Sequence, residues 1–150
     1  MSQSLSKLYV HIIFHVKNER PLICGEDEKE LYAYIGGIIK QTSSYPISIN
    51  GTSNHIHVLS TLSKNISLAD FIKKIKGNSS RWMKTKGLDY KNFEWQGGYS
   101  GYSVSQSKVE TVEKYIANQK EHHKRVSFRE EYLVFLKEYE IDFDESFLWT

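Results

Sequence analysis

From Leu8 to Val16 the sequence alternates, with Leu8, Val10, Ile12, Phe14 and Val16 on one parity and Tyr9, His11, Ile13 and His15 on the other. A period of two belongs to a β-strand, and one parity here is wholly apolar, so the strand must cover a core with at least one face. The rest of the chain has to supply its partners. Residues 26–42 read as a helix, because Leu31, Tyr34, Ile35, Ile38 and Ile39 recur at helical spacing. Glu26, Asp27 and Glu28 stand where the positive end of the helix dipole favours acids. Ile47 and Ile49 mark a short strand, Asn50-Gly51 reads as a tight turn, and residues 55–62 read as the return strand.

A second helix is expected over residues 67–86, with Leu68, Phe71, Ile72, Ile75, Trp82 and Met83 on one stripe. Residues 93–101 form a loop rich in glycine and aromatics, and residues 102–106 a strand. Ser107 and Glu110 have capping-box spacing, which predicts a third helix from there to about Lys124. Phe128, Tyr132, Phe135, Leu136 and Tyr139 predict a fourth, and the tail Phe147-Leu148-Trp149 is expected to dock on the body. The order strand, helix, strand, strand, helix, strand is that of the split β-α-β, or ferredoxin-like, arrangement. The expected class is therefore α+β, an antiparallel sheet with helices packed on it, in a single domain over residues 1–150. That platform serves many tasks and decides no function by itself.

The net charge of +2 announces no partner, but its distribution is uneven. Residues 67–86 hold six Lys or Arg against one Asp, and residues 126–150 hold seven acids against two bases. A local basic surface can bind phosphate on a nearly neutral chain. Cys24 is the only cysteine, which excludes an intrachain disulfide and a cysteine zinc site. The opening Met1-Ser2-Gln3-Ser4-Leu5-Ser6-Lys7 lacks the apolar stretch of a signal peptide. No apolar run approaches the roughly 20 residues that span a bilayer, so a cytoplasmic protein is expected.

Four groups of residues can carry chemistry. His55-Ile56-His57 lies on a predicted strand, where residues i and i+2 share a face, so two imidazoles project together. Neutral imidazole nitrogens suit a divalent cation, although two unrelated histidines would give the same spacing. Tyr115 and Gln119 share a helix face, with His122 near them and His123 a little further round. A tyrosine bordering the stripe Val109, Val112 and Ile116 can equally be a packing residue. Lys73, Lys74, Lys76, Arg81, Lys84 and Lys86 lie on one helix, as a phosphate-binding surface or a solvated face. Trp95, Tyr99 and Tyr102 can stack on unpaired bases or fill a core beside a bent loop.

Together these residues resemble the single-tyrosine HUH transposases of bacterial insertion sequences, the IS-two-hundred type, with the related REP-associated tyrosine transposases. The resemblance runs from about Leu8 to Trp149. It is carried by Tyr9-Val10-His11-Ile12-Ile13-Phe14 with Lys17 and Arg20, by Asn54-His55-Ile56-His57-Val58-Leu59, and by Ile75-Lys76-Gly77 with Ser79-Ser80. Trp95-Gln96, Gly98-Tyr99, Tyr102-Ser103-Val104-Ser105, Tyr115-Ile116, Asn118-Gln119 and Glu121-His122-His123 complete it. Family members often have Asp where this chain has Asn54; Asn still accepts a hydrogen bond from a ligating histidine, without the charge.

The resemblance implies that His55, His57 and Gln119 bind Mg²⁺ or Mn²⁺ and that Tyr115 is the nucleophile. It implies cleavage and rejoining of single-stranded DNA at insertion-sequence ends through a 5′-phosphotyrosine. It also implies hairpin binding and a homodimer in which the tyrosine helix of one subunit often completes the metal site of the other. His122 is the candidate acceptor of the tyrosine proton. Lys73, Lys74, Lys76 and Arg81, with Lys17 and Arg20, are the candidate DNA-backbone contacts. Other readings stay open: a domesticated nickase or repeat-processing protein, a non-catalytic single-stranded nucleic-acid-binding module, and a phosphodiesterase using metal-bound water.

Overall fold

The computed structural model describes residues 2–150. Strands β1 (Tyr9–His15), β2 (Pro46–Gly51), β3 (His55–Thr61) and β4 (Ser100–Val104) form one antiparallel sheet in the order β2-β3-β1-β4. Helix α1 (Gly25–Gln41) joins β1 to β2, and α2 (Leu68–Lys84) joins β3 to β4, which is the ferredoxin-like order. The Ser67 hydroxyl starts α2 by accepting from the Asp70 amide at 3.0 Å. After β4 come α3 (Val109–Ala117), α4 (Gln119–His122), α5 (Phe128–Glu138) and the short α6 (Glu145–Leu148). Among the described residues, no helix is long and apolar enough to cross a membrane.

Strand alternation divides the interior. Ile12, Phe14, Ile56 and Val58 pack against Leu31, Ile35 and Ile39 of α1 and Phe71, Ile72 and Ile75 of α2. Each is buried, and burial stabilises by about 1.5–3 kcal/mol per large aliphatic or aromatic side chain. The opposite parity carries smaller apolar clusters, Ile13 and Tyr102 with Phe128, Tyr132 and Leu136, and Leu59 and Val104 with Ile116. Histidines lie between them on that face.

Three expectations need correction. Asn50-Gly51 is not the turn, because Asn50 pairs with His57 and Gly51 with Ile56 inside the β2–β3 ladder. Glycine serves there for close approach: a Cβ on Gly51 would sit 2.1 Å from the His55 carbonyl oxygen. The predicted single helix over 107–124 is a 3₁₀ turn at Gln106–Lys108, then α3, then α4, with a non-helical Asn118 between the last two. The Asn50 amide donates to the Ile116 oxygen at 2.9 Å and the Ala117 oxygen at 3.3 Å, so it occupies carbonyls that the next helical turn would use. No capping box forms, since Ser107 already lies inside the 3₁₀ turn and α3 starts without a side-chain cap. Of the two readings left open for the aromatics, Trp95 and Tyr102 follow core filling: both are buried, and the Trp95 indole donates to the Ser79 hydroxyl at 2.9 Å. Tyr99 is partly exposed. In the tail, Leu148 and Trp149 dock on the second core while Phe147 points outward.

Candidate metal and tyrosine site

All six histidines of the chain gather on the sheet face covered by α3, α4 and α5. The register accounts for four of them, with His15 opposite His55 and His11 and His57 on the same parity of neighbouring strands. His122 closes α4 and His123 follows it. At the centre is Glu131 of α5, a carboxylate with almost no exposure. Its Oε1 lies 2.9 Å from His57 Nε2, 3.2 Å from His123 Nε2 and 3.6 Å from His55 Nε2. Its Oε2 accepts from the Tyr115 hydroxyl and, at 3.0 Å, from the Gln119 amide. His122 Nε2 is 3.2 Å from Oε2 but forms no hydrogen bond.

The predicted residues His55, His57, Tyr115, Gln119 and His122 are thus brought to one point within one chain. The helix break at Asn118 does not separate Tyr115 from Gln119, because Glu131 bridges them. Sequence reasoning missed Glu131 and undervalued His123. The signal for Glu131 was present: it stands three residues after Phe128 and four before Phe135, on the apolar stripe of its helix. A carboxylate there must be buried and satisfied. Ser127 caps this helix by accepting from the Glu130 amide at 3.2 Å, which sets Glu131 in the first turn, where the dipole favours its charge.

Burial and the neighbouring His57 lower the His11 pKa to about 3. Burial, then His57, lowers His55 well below the ordinary histidine value, and burial lowers His57. All three are therefore neutral at pH 7. Burial alone would raise Glu131, but hydrogen bonds from His123 and His57 outweigh it and hold the carboxyl well below its usual range. Burial would lower His123, and Glu131 outweighs that and raises it. Burial and Glu131 together raise the Tyr115 phenol.

One ligand atom each from His55, His57, His123 and Glu131 lies within 4.8 Å of the others, a spacing that can hold a metal ion. The donor set fits a divalent cation for a further reason. His55 Nδ1 lies 2.8 Å from Asn54 Oδ1, and His55 Nε2 lies 3.0 Å from Gln119 Oε1. Both of these partners are acceptors, the Thr52 hydroxyl 3.0 Å from Nδ1 can donate or accept, and a neutral imidazole has one proton. The Gln119 amide is fixed by its donation to Glu131. With Thr52 donating to Nδ1, His55 Nε2–H donates to Gln119; with the His55 proton on Nδ1 toward Asn54, lone pairs of His55 and Gln119 face each other, and a cation would satisfy both. Asn54 thus makes the orienting contact expected of it without a charge.

A cleft of about 400 Å³ opens beside the cluster, lined by Thr52, Asn54, Lys120, His123, Lys124 and Ser127. A larger cleft, about 650 Å³, is on the other side of the sheet and collects Lys73, Lys74 and Arg81 of α2. Lys76 does not join them: its ammonium donates to the Gly98 carbonyl at 2.7 Å, and burial brings its pKa down to about 8. Lys17 and Arg20 line a third cleft with Lys84 and Lys91, and Lys17 is 3.5 Å from Glu94.

A ferredoxin-like sheet with a histidine pair on its central strand and a tyrosine on a covering helix defines a class, the HUH-type nucleic-acid enzymes. The sequence pattern of IS200-like transposases matches residues 4–119, and the chain belongs to that family. It is similar to the ISDra2 transposase TnpA of Deinococcus radiodurans, with 27% identity over 118 residues, 75% of this chain and 84% of that protein. Two solved structures share the fold. One is a Deinococcus radiodurans crystal structure described as a transposase, with a TM-score of 0.61 and 23% identity over 79% of this chain and 98% of that one. The other is a REP-associated tyrosine transposase bound to a REP hairpin, with a TM-score of 0.61 and 15% identity over 84% of this chain and 76% of that one.

Proposed function

We propose that this transposase cleaves and rejoins single-stranded DNA through a 5′-phosphotyrosine at Tyr115, assisted by Mg²⁺ or Mn²⁺ held by His55, His57 and Gln119. The observation that carries the reading is the bridging of the Tyr115 phenol and the His57 imidazole by one anionic group, the Glu131 carboxylate. An anion placed so that it touches both marks where a scissile phosphate can lie, reached through the cleft beside His123.

Transposition without an energy source requires that the phosphodiester energy be kept. Attack by the Tyr115 oxygen on phosphorus forms the tyrosyl ester and releases a 3′ hydroxyl, which can later reverse the step on another strand. When bound, the cation draws charge from a non-bridging phosphate oxygen. Tyr115, whose pKa is raised, must lose its proton during the attack, and both Glu131 and His122 lie beside it. His122 Nε2 has no hydrogen-bond partner, which leaves it free to accept.

On the other face, Lys73, Lys74 and Arg81 form the phosphate-binding cleft for a DNA hairpin, with Lys17 and Arg20 as flanking contacts. Cleavage of two strands calls for two tyrosines, hence a homodimer. In the single chain the tyrosine helix packs on its own sheet. The protein acts as one domain, in the cytoplasm where its DNA is.

The test is a covalent adduct on a denaturing gel, using single-stranded DNA from the flanks of the gene. Wild-type protein with Mn²⁺ forms the adduct, and Tyr115→Phe and wild type in chelator form none. An adduct that persists in Tyr115→Phe assigns the nucleophile elsewhere. Metal-dependent cleavage with no adduct in the wild type selects the phosphodiesterase instead.

A further inference from the structure

His11 has no part in the reading above, yet it is buried and its Nε2 lies 2.8 Å from Nδ1 of His57. At that distance one nitrogen must carry the proton and the other must not. The far side of His57 decides which. Its Nε2 lies 2.9 Å from the Glu131 carboxylate, which only accepts, so the proton of His57 sits on Nε2 and its bare Nδ1 accepts from His11 Nε2–H. A cation on His57 Nε2 reverses this. A ligating nitrogen gives its lone pair to the metal, so the proton of His57 must move to Nδ1, and the partner there must become an acceptor. Lys or Arg at position 11 could only donate, and an ionised Asp or Glu could only accept. A neutral imidazole does either by moving its own proton between its two nitrogens.

We infer that His11 is the positioning residue of the metal centre, exchanging tautomers with His57 so that His57 Nε2 serves Glu131 in one state and a divalent cation in the other. This rests on the metal reading above. The proton balance closes. His57 gives its Nε2 proton to water as the cation enters and receives one at Nδ1 from His11 Nε2, and His11 takes one from water at its own Nδ1, so the pair releases one proton and takes up one. Each ring begins and ends neutral. The setting suits such a fixed pair. The two imidazoles stack with centroids 5.0 Å apart, and Phe135, Tyr102 and Tyr115 enclose His11 at 5.2, 6.1 and 6.5 Å. The ring cannot swing away, so a change of role must come from the proton.

Two measurements on the full chain test this. Mn²⁺ affinity, read by electron paramagnetic resonance, should fall about 10–100-fold in His11→Leu, as on loss of an orienting partner. His11→Gln, whose amide can donate or accept, should restore most of it. Ring nitrogen-15 spectra of the wild type should show the His57 proton on Nε2 without metal and on Nδ1 with Mg²⁺. A folded His11→Leu protein with wild-type Mn²⁺ affinity overturns the inference and leaves the metal reading standing. So does a His57 proton that stays on Nε2 with Mg²⁺ bound. A wild type that binds no Mn²⁺ overturns the metal reading and the role of His11 with it. If His11→Leu fails to fold, His11→Gln and the wild-type spectra decide.

Discussion

Strand β3 serves both sides of the sheet with alternate residues, and the two sides are built to different ends. Ile56 and Val58 enter a core made wholly of aliphatic, aromatic and methionine side chains between the sheet and helices α1 and α2. His55 and His57, on the other parity, enter a polar cluster beneath α3, α4 and α5. The first side buries few polar groups, among them the Trp95 indole met by the Ser79 hydroxyl and the Tyr32 hydroxyl, and depends mainly on close packing. The second buries a carboxylate, an amide and several imidazoles, and His122 Nε2 there has no hydrogen-bond partner. Buried polar groups that are incompletely matched cost stability. One side therefore carries the fold, and the other gathers a His/Glu group with the spacing to hold a metal ion.

The largest expected effect separates the two sides in a single pair of variants. His57→Ala should lower metal-dependent cleavage by about a thousandfold or more, since a cation supplies several kcal/mol at the transition state. Its cost in stability, read by urea unfolding in chelator, should be about 1–3 kcal/mol. Phe14→Ala, on the opposite parity of β1, should do the reverse, costing about 3–5 kcal/mol while the folded fraction still binds Mn²⁺. Equal losses of stability from the two substitutions would erase the distinction between the faces.

Acid should act on one face only. His11, His55 and His57 are neutral in the fold with pKa values below that of a free histidine, about 3 for His11. The unfolded chain therefore binds more protons than the folded one once the pH falls below about 6.5. Their contribution is complete above that pH and is lost as the pH falls toward the folded values, by about 1.4 kcal/mol per pH unit for each group. Glu131, held low, adds a loss of the same sign below the ordinary carboxylate range. His123 is raised and opposes the trend as a single group. Urea unfolding of chelated protein at pH 7.5, 6.5 and 5.5 should show stability flat over the first step and falling over the second. A flat profile to pH 5 would mean that these imidazoles take up protons as readily in the fold as in the unfolded chain.

The apolar face was the more legible of the two. Alternation in β1 and the helical stripes of α1 and α2 are local patterns, and the residues that generate them are the ones that pack. The histidine pair on β3 was legible for the same reason, since its geometry is set by neighbours in sequence. What failed depended on contacts distant along the chain. Asn50 looked like a turn residue because a dipeptide holds no record of the helix end 66 residues later that takes its amide. Trp95 among glycines could stack on a base or fill a core, and its indole, reaching back to Ser79 on α2, decides for the core. Glu131 gave the weakest signal because an acid in the first turn of a helix is ordinary. Only the covering of α5 by the sheet makes it central.

The smallest effect concerns the basic surface, and it sharpens the comparison because helix α2 presents both kinds of lysine. Lys73, Lys74 and Arg81 share an open cleft, whereas Lys76 is committed to the Gly98 carbonyl. If the cleft neutralises phosphates, each of the three releases about one counterion when DNA binds. Lys73→Ala or Arg81→Ala should then reduce the slope of log affinity against log salt by about one, with a uniform weakening across hairpin sequences. Lys76→Ala should leave that slope unchanged, because its charge already serves the loop that holds Trp95 and Gly98. Fluorescence anisotropy with a hairpin oligonucleotide at 50–300 mM salt measures all three. A slope that moves with Lys76 and not with Lys73 would place the DNA on the loop rather than in the cleft.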